Sequence, residues 1–498
     1  MTTYKIISIQ RGILQQHLYQ TFFHKVNQQK REFQVLFMNQ IHFFTIQFIE
    51  YFTRDQILPS LADFVRIPNL SPQFDPQWQD NGLLDKASNH IVSWIEQQKI
   101  PNCKVEMLSI QGAPKAIHVS IKAQNPITVF YYGHYDKQPH FPGWRDGFGP
   151  TIPVIEGHRM FGRGVADDGY APYAAIAALQ TLLSQGLEHP TIEMLFEGEE
   201  ESGSNFLMQY FDLLELKRVD IMVALDSGSG DYERLWLTSS LRGSMKIDLC
   251  VKVLESPINT DDVGNVPQAL NIIRVLLNRL EDPVTGQVHK SLQTIIPADR
   301  YEECLQSADL VQIEFSRQCD KMESCRVKQY INRNWKPAVS YIGQDGFPST
   351  RKMIDQIIPE LIIRLSIRLP PNKCAKEAAN FVKQLLEKDP PFNANVTANI
   401  IAAGSGLNLK SFSPKLKDIL NTASKLFFNG NESRVFHEGA SIPFLNQLNQ
   451  RSPQAEFLVL GVLGPDSNAH GANEMLDLNY MKGLIGCLAY TMNQFIKS

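Results

Sequence analysis

The sequence has no excess of one charge, no paired-cysteine motif and no uninterrupted apolar run of membrane-spanning length. Its 48 Lys and Arg stand against 52 Asp and Glu, a formal net charge of -4, and no block of basic residues stands out. Electrostatic attraction to nucleic acid or to an anionic membrane surface therefore has no support. The seven cysteines (Cys103, Cys250, Cys304, Cys319, Cys325, Cys374, Cys487) are odd in number, scattered and without C-x-x-C. They read as reduced thiols of a cytoplasmic protein and not as a disulfide framework. Val35 to Phe52 is rich in Phe, Ile and Leu, but Asn39, Gln40, His42, Gln47 and Glu50 interrupt it. A span needs about twenty mainly apolar residues, so an amphipathic or buried helix is expected there and no membrane span. The first residues do not form the apolar run and small-residue site of a secretory signal, and Met38 is an alternative start.

What is present is the balance of a globular protein, 43% hydrophobic and 20% charged. A chain of 498 residues is too long for one ordinary core, so two domains are expected. Short apolar runs of strand length recur, and each ends at a glycine-flanked turn bearing His or carboxylate. Thr128 to His134 leads to Asp136, and Ile192 to Phe196 leads to Glu197-Gly198-Glu199-Glu200-Glu201-Ser202-Gly203-Ser204. Ile221 to Leu225 ends at Asp226-Ser227-Gly228, and Phe457 to Val462 leads into Gly464 through His470 and Gly471. Gly162-Arg163-Gly164-Val165-Ala166-Asp167-Asp168-Gly169 opens onto an alanine-rich helical pattern. In open α/β sheets, ligands gather at the carboxyl ends of strands. Two His and several carboxylates meeting there form the oxygen and nitrogen set that suits zinc or a similar divalent ion. A neutral His134 can ligate through one ring nitrogen while a nearby carboxylate fixes the other.

Along the chain, helices are expected over Asp55 to Val65 and Leu83 to Gln98, and strands and helices then alternate to Asp226. The pattern changes after Leu241-Arg242-Gly243. Met245, Ile247, Leu249, Val251 and Val253 alternate with polar residues, as do Leu361, Ile363, Leu365, Ile367 and Leu369. Both read as strands with one wet face. Gln268 to Leu280 and Ala375 to Glu387 read as helices, and the polar stretch from Asp299 to Pro348 has no clear assignment. The expectation is an α/β protein: a sheet-and-helix catalytic domain (55–240 and 434–498), an inserted α+β lid (241–433) and a helical extension (1–54).

The motifs G-H-Y-D, G-R-G-V-A-D-D, E-G-E-E-E-S-G-S, S-I-R-L-P-P and A-H-G-A-N-E, in this order, resemble the carnosinase, aminoacylase and glutamate carboxypeptidase family of co-catalytic di-zinc hydrolases. The resemblance covers nearly everything from about Asp55 onward. It implies Asp167 as a carboxylate bridging two Zn2+ ions, with His134 and Asp226 completing one site and Glu201 and His470 the other. It implies Asp136 as the residue orienting His134, and a cis peptide after Asp167. Glu200, beside a ligand but matching none, is left free to act as general base on a metal-activated water. Arg368 resembles the family arginine that binds a substrate carboxylate, though by itself it is equally a solvated strand residue. Gly439 and Ser441 resemble the small-residue loop that receives the substrate's end, and are equally a plain tight turn.

One departure stands out. Many relatives carry a His-Ser-Gly motif in the lid, and its His helps stabilise the tetrahedral intermediate, often across a dimer. The matching stretch here, Glu255 to Gly264, has no His. Asn259 could donate to an oxyanion, or be only a turn residue, and the second reading is slightly favoured. The resemblance implies hydrolysis of a dipeptide or short peptide with a free carboxylate, and a lid that could also form a homodimer. The alternatives are an N-acyl-amino acid substrate, and a non-catalytic binding protein that keeps its metals without turnover.

Overall fold

The computed structural model describes residues 42–311, 318–352, 355–440 and 442–497. The chain first lays down six strands of one sheet: β1 (Cys103–Leu108), β2 (Ala116–Ile121), β3 (Thr128–His134), β4 (Thr191–Glu197), β5 (Ile221–Ala224) and β6 (Trp236–Leu241). Four strands of a second sheet follow: β7 (Gly243–Lys252), β8 (Ala338–Asp345), β9 (Glu360–Leu369) and β10 (Asn395–Gly404). It then returns to the first sheet with β11 (Leu407–Asn408), β12 (Arg434–Glu438) and β13 (Glu456–Val459).

The large sheet runs β1-β2-β4-β3-β5-β13-β6-β11, with β12 pairing β6 off this path. Its centre is parallel: β3 lies between β4 and β5, and β13 pairs β5, all in the same direction. A central parallel strand is covered on both faces, and β3 is buried from Val129 to His134. Helix α3 (Ala171–Ser184) is apolar nearly all round and is buried between the sheet and the last helix, α9 (Leu478–Ile496). That is what its alanines permit, because small side chains let three layers approach closely.

The small sheet, in the order β8-β9-β7-β10, is wholly antiparallel. β7 and β9 alternate buried and wetter positions, as the sequence pattern predicts, while the outer strands β8 and β10 are mostly exposed. Met245, Ile247, Leu365 and Ile367 pack with Ile272 and Leu276 of α4 (Ala269–Leu280) and with Ala379 and Val382 of α7 (Ala375–Glu387) into a separate core. A single residue, Arg242, joins β6 to β7 where the chain passes from one sheet to the other. The return connection crosses beside it, and a side chain at Gly243 would begin 2.9 Å from both the Gly404 carbonyl and the Gly406 nitrogen.

Two parts of the stretch expected to form the insertion pack with the large sheet. Residues of α5 (Ala298–Ser307) and α6 (Arg326–Trp335), including Cys304, Tyr330 and Trp335, belong to the main core. β11 pairs β6, and α8 (Pro414–Phe427) packs on α9, so the chain rejoins the large sheet at Leu407 rather than Arg434. The polar surfaces of α5 and α6 hid them in the sequence: each buries only a narrow stripe. The expected helix over Asp55 to Val65 is present, as a π turn at Thr53–Ile57 running into α1 (Leu58–Val65). No described helix is long and apolar enough to cross a membrane.

Candidate metal centre

β3, β4 and β5 end side by side, and each delivers a residue just past or at its carboxyl end. His134 closes β3 and is fully buried. Its Nε2 lies 3.2 Å from Asp167 Oδ1 and 4.0 Å from Asp226 Oδ2, and its Nδ1 lies 3.3 Å from Asp136 Oδ1. Asp136 does a second job: its two carboxylate oxygens accept from the backbone N–H of Glu200 and of Glu201, both at 3.1 Å. One carboxylate thus fixes the imidazole and the turn Glu200–Ser202 that follows β4.

On the other side, His470 Nε2 lies 2.9 Å from Asp167 Oδ2 and 3.4 Å from Glu201 Oε1. Glu201 Oε2 accepts from Gln138 Nε2 at 2.5 Å, leaving Oε1, a buried atom without a hydrogen bond, turned to His470. The His470 side chain is 54% exposed, so the cluster opens to solvent on this side. The Asp167–Asp168 peptide is cis. Asp168 accepts from the His134 backbone N–H at 3.2 Å, and a Cβ on Gly133 would stand 2.7 Å from that carboxylate, so only glycine fits before His134.

Two donor triads result, His134–Asp167–Asp226 and Asp167–Glu201–His470, and Asp167 belongs to both. A third grouping, His134–Glu200–Glu201, brings Glu200 against them. Four-coordinate zinc with bonds of about 2.0–2.2 Å separates its ligand atoms by roughly 3.3 Å. The spacings of 3.2 Å from His134 to Asp167, 2.9 Å from His470 to Asp167 and 3.4 Å from His470 to Glu201 fit that requirement, and the 4.0 Å from His134 to Asp226 is wider.

The electrostatics point the same way. Burial and the neighbouring carboxylates push Asp226 up to about 7, and raise Glu200 well above the carboxylate range and Glu201 less far. Burial opposes charge on His470, yet Asp167 and Glu201 lift it to about 11; Asp136 and Asp167 likewise raise His134 against burial. Asp167 is held low, since the hydrogen bonds from His134 and His470 outweigh its own burial. Each imidazole proton therefore sits between a ring nitrogen and carboxylates, where a divalent cation would take its place. The residues fit a pair of such ions.

Glu474 has no role in the sequence reading, although it closes the A-H-G-A-N-E motif. Fully buried, it accepts from the backbone N–H of Gly164, Ala166 and Asp167 and from Arg163 Nη1 at 2.7 Å. It cages the loop that carries Asp167. The signal was its place four residues after His470 in the quoted motif.

The substrate residues are placed as follows. Arg368 lies on β9 opposite Ser244, and its charge acts on Arg242. Gly439 directly follows Glu438, whose carboxylate accepts from Ser227 Oγ at 2.9 Å, one residue beyond Asp226. Ser441 lies outside the described residues. Asn259 is exposed, and its Oδ1 accepts from Asp261 N and Thr260 Oγ1; these local bonds make it a cap on a short helical turn, and the structure does not bring it to the acidic cluster.

Comparison with known proteins gives the class first. The model of peptidase family M20/M25/M40 matches residues 130–494, and the chain belongs to this family of metallopeptidases, which use divalent metal ions. Among curated relatives, it is 23% identical to the cysteinylglycine-S-conjugate dipeptidase of Corynebacterium striatum, over 85% of this chain and 92% of that one. It is 27% identical to the Cys-Gly metallodipeptidase dug1 of Schizosaccharomyces pombe, over 72% and 78%. The solved structure of the dipeptidase Dug1p from Saccharomyces cerevisiae superposes with a TM-score of 0.73 at 21% identity, over 92% of this chain and 99% of that one. Human carnosine dipeptidase 1 gives 0.70 at 17%, over 90% and 98%.

Proposed function

We propose that this protein is a zinc-dependent dipeptidase that hydrolyses the amide bond of dipeptides or short peptides with a free carboxylate. The observation that carries the reading is Asp167 shared by two donor triads, with Glu200 beside them and outside the Asp167-sharing pair. His134, Asp167 and Asp226 would hold one zinc, and Asp167, Glu201 and His470 the other. Zinc ions held there would lower the pKa of a shared water towards neutrality and polarise the scissile carbonyl. Glu200 takes the proton from the attacking water on a carboxylate oxygen, keeps it while the C–N bond weakens, and delivers it to the leaving amine nitrogen. Asp136 holds Glu200 in place through its backbone N–H and orients His134, so one residue sets the distance between base and ligand.

Residues 241 to about 406, apart from α5 and α6, form the lid in this reading, and Asn259 takes no part in chemistry within one chain. Exposed Tyr341 and Ile342 on β8 and Ile400 and Ile401 on β10 support a dimer through the small sheet, which light scattering of the purified protein tests. Metal analysis together with a panel of dipeptides and N-acyl-amino acids tests the main proposal. Two zinc ions per chain and cleavage of dipeptides are expected. Cleavage confined to acyl-amino acids moves the substrate class, and two bound ions with no hydrolysis at all makes the protein a binding protein.

A further inference from the structure

The turn Glu200–Ser202, which carries the base and a metal donor in the proposed function, is pinned at both ends. At its start, Asp136 accepts from the backbone N–H of Glu200 and of Glu201. At its end, Ser202 Oγ lies 2.5 Å from Ser71 Oγ and accepts from the Gln73 backbone N–H at 2.9 Å. Ser71 stands 131 positions earlier, on the segment that follows α1, and is fully buried. It opens the short helical turn Pro72–Phe74, a place where a serine ordinarily turns its hydroxyl back onto its own helix. Ser71 makes no such bond. Its hydroxyl reaches across the chain instead, to the turn that bears Glu200.

The same segment holds the residues on either side of Asp136. Asn69, also fully buried, donates from Nδ2 to the Tyr135 carbonyl at 2.6 Å, and the Ser71 backbone N–H donates to the Lys137 carbonyl at 2.9 Å. Lys137 Nζ in turn donates to the carbonyls of Phe64 and Ile67, at 2.9 and 2.8 Å, where α1 ends. The loop before Asp167 rests here too: a side chain on Gly162 would run into Val65, and one on Gly164 would begin 2.7 Å from Lys137 Cγ. The connections close into a ring. It runs from the Ser71 N–H to Lys137, along the chain to Asp136, through that carboxylate to Glu200 and Glu201, and from Ser202 back to the Ser71 hydroxyl. With one link opened, the turn is anchored at Asp136 alone and can swing about it. A general base must stay within hydrogen-bond reach of the water it deprotonates, and a misplacement of about 1 Å can cost about 10²-fold in rate.

We propose that Ser71 is a positioning residue for Glu200. Through Ser202 it fixes the turn on which the base stands, and through Lys137 it ties that turn to the strand end carrying His134 and Asp136. Among the described residues its bonds go to Ser202, Lys137 and the turn Pro72–Phe74, and to no metal donor. The kinetic effect rests on the dipeptidase reading, while the ring of hydrogen bonds stands without it.

The test removes the two hydroxyls singly and together in the zinc-loaded full chain. Ser71→Ala should lower kcat for a cleaved dipeptide about 5- to 30-fold, with KM within about twofold and bound zinc unchanged. Ser202→Ala should do the same, and the double variant should fall no further than the worse single one, because both open the same link. A kcat within about twofold of wild type, a fall explained by lost zinc or carried by KM alone, or losses that multiply in the double variant overturns the proposal. Amide hydrogen exchange reads the ring without turnover. In Ser71→Ala the N–H groups of Glu200 and Glu201 should exchange at least about tenfold faster, with those of β7 and β9 unchanged. If the wild-type protein cleaves no peptide, the dipeptidase reading fails and this arm still decides the ring; unchanged exchange, or faster exchange throughout both sheets, overturns it. Should Ser71→Ala fail to fold, Ser202→Ala, at a half-buried turn position, carries both measurements.

Discussion

The acidic cluster and the arginines beyond Glu438 are built differently. In the acidic cluster, neighbours hold several of the side chains: Asp136 grips a ring and a turn, Glu474 grips a loop, and Gln138 grips Glu201. Beyond Glu438, Arg242 is held by backbone carbonyls, and the arginines near it come from the small sheet and from α6. A metal site must fix its donors within tenths of an ångström, so its supporting hydrogen bonds are numerous. A third site, around Glu193, shows what a self-sufficient charge looks like. Its buried carboxylate meets His118 at 2.9 Å, Ser120 at 3.1 Å and Lys122 at 2.5 Å, so nothing is left for a ligand.

The contrast can be broken most severely at Asp167. Asp167→Ala removes the residue common to both triads, and turnover should fall by about 10³-fold or more, with both ions lost in metal analysis. Glu200→Gln should sharpen the division between holding metal and using it. A loss of about 10²- to 10⁴-fold in kcat is expected with metal content unchanged, and loss of metal would make Glu200 a ligand. Glu474→Ala leaves Arg163 buried without its carboxylate, which should cost about 3–5 kcal/mol in denaturant unfolding and weaken metal affinity by about 10- to 100-fold.

Glu193 supplies a pH test of the self-sufficient case. Although burial works to raise it, the hydrogen bonds from His118 and Lys122 hold it below the ordinary glutamate value of 4.5. The folded state therefore gives up the proton more readily than the unfolded chain, and the stabilisation is full above about pH 4.5 and lost as pH falls through the lower folded value. Glu193→Gln should cost about 1–2 kcal/mol near pH 7, a difference that shrinks in acid when the melting curves of both proteins are compared. The smallest effect belongs to the exposed Arg364–Asp248 pair between β9 and β7, 2.6 Å apart. Arg364→Ala should change stability by less than about 1 kcal/mol and leave the dipeptide rate unaltered.

How much of this was legible depended on range. The strand ends carrying His134, Glu201 and Asp226 and the amphipathic helices α4 and α7 could be read, because periodicity and glycine turns are local. Leu83–Gln97 and Ala375–Glu387 end within a residue of the sequence expectation. The return of α5 and α6 to the main core could not be read, since nothing local says which of two cores a narrow apolar stripe will join. Nor could the contacts of Glu474 with residues some 310 positions earlier, or the meeting of Arg242, Arg333 and Arg368, which three separate elements create. The placement of Asn259 as a local cap agrees with its reading as a turn residue and gives it no contact with the acidic cluster.

The grip of Glu474 on the loop before Asp167 also has a bearing on synthesis. A growing polypeptide in which residue 474 has not yet left the ribosome has neither that clasp nor His470, although His134, Asp167, Glu201 and Asp226 are long since made. The cluster is thus complete only after residues 470 to 474 have been added, long after its other four members are in place along the chain.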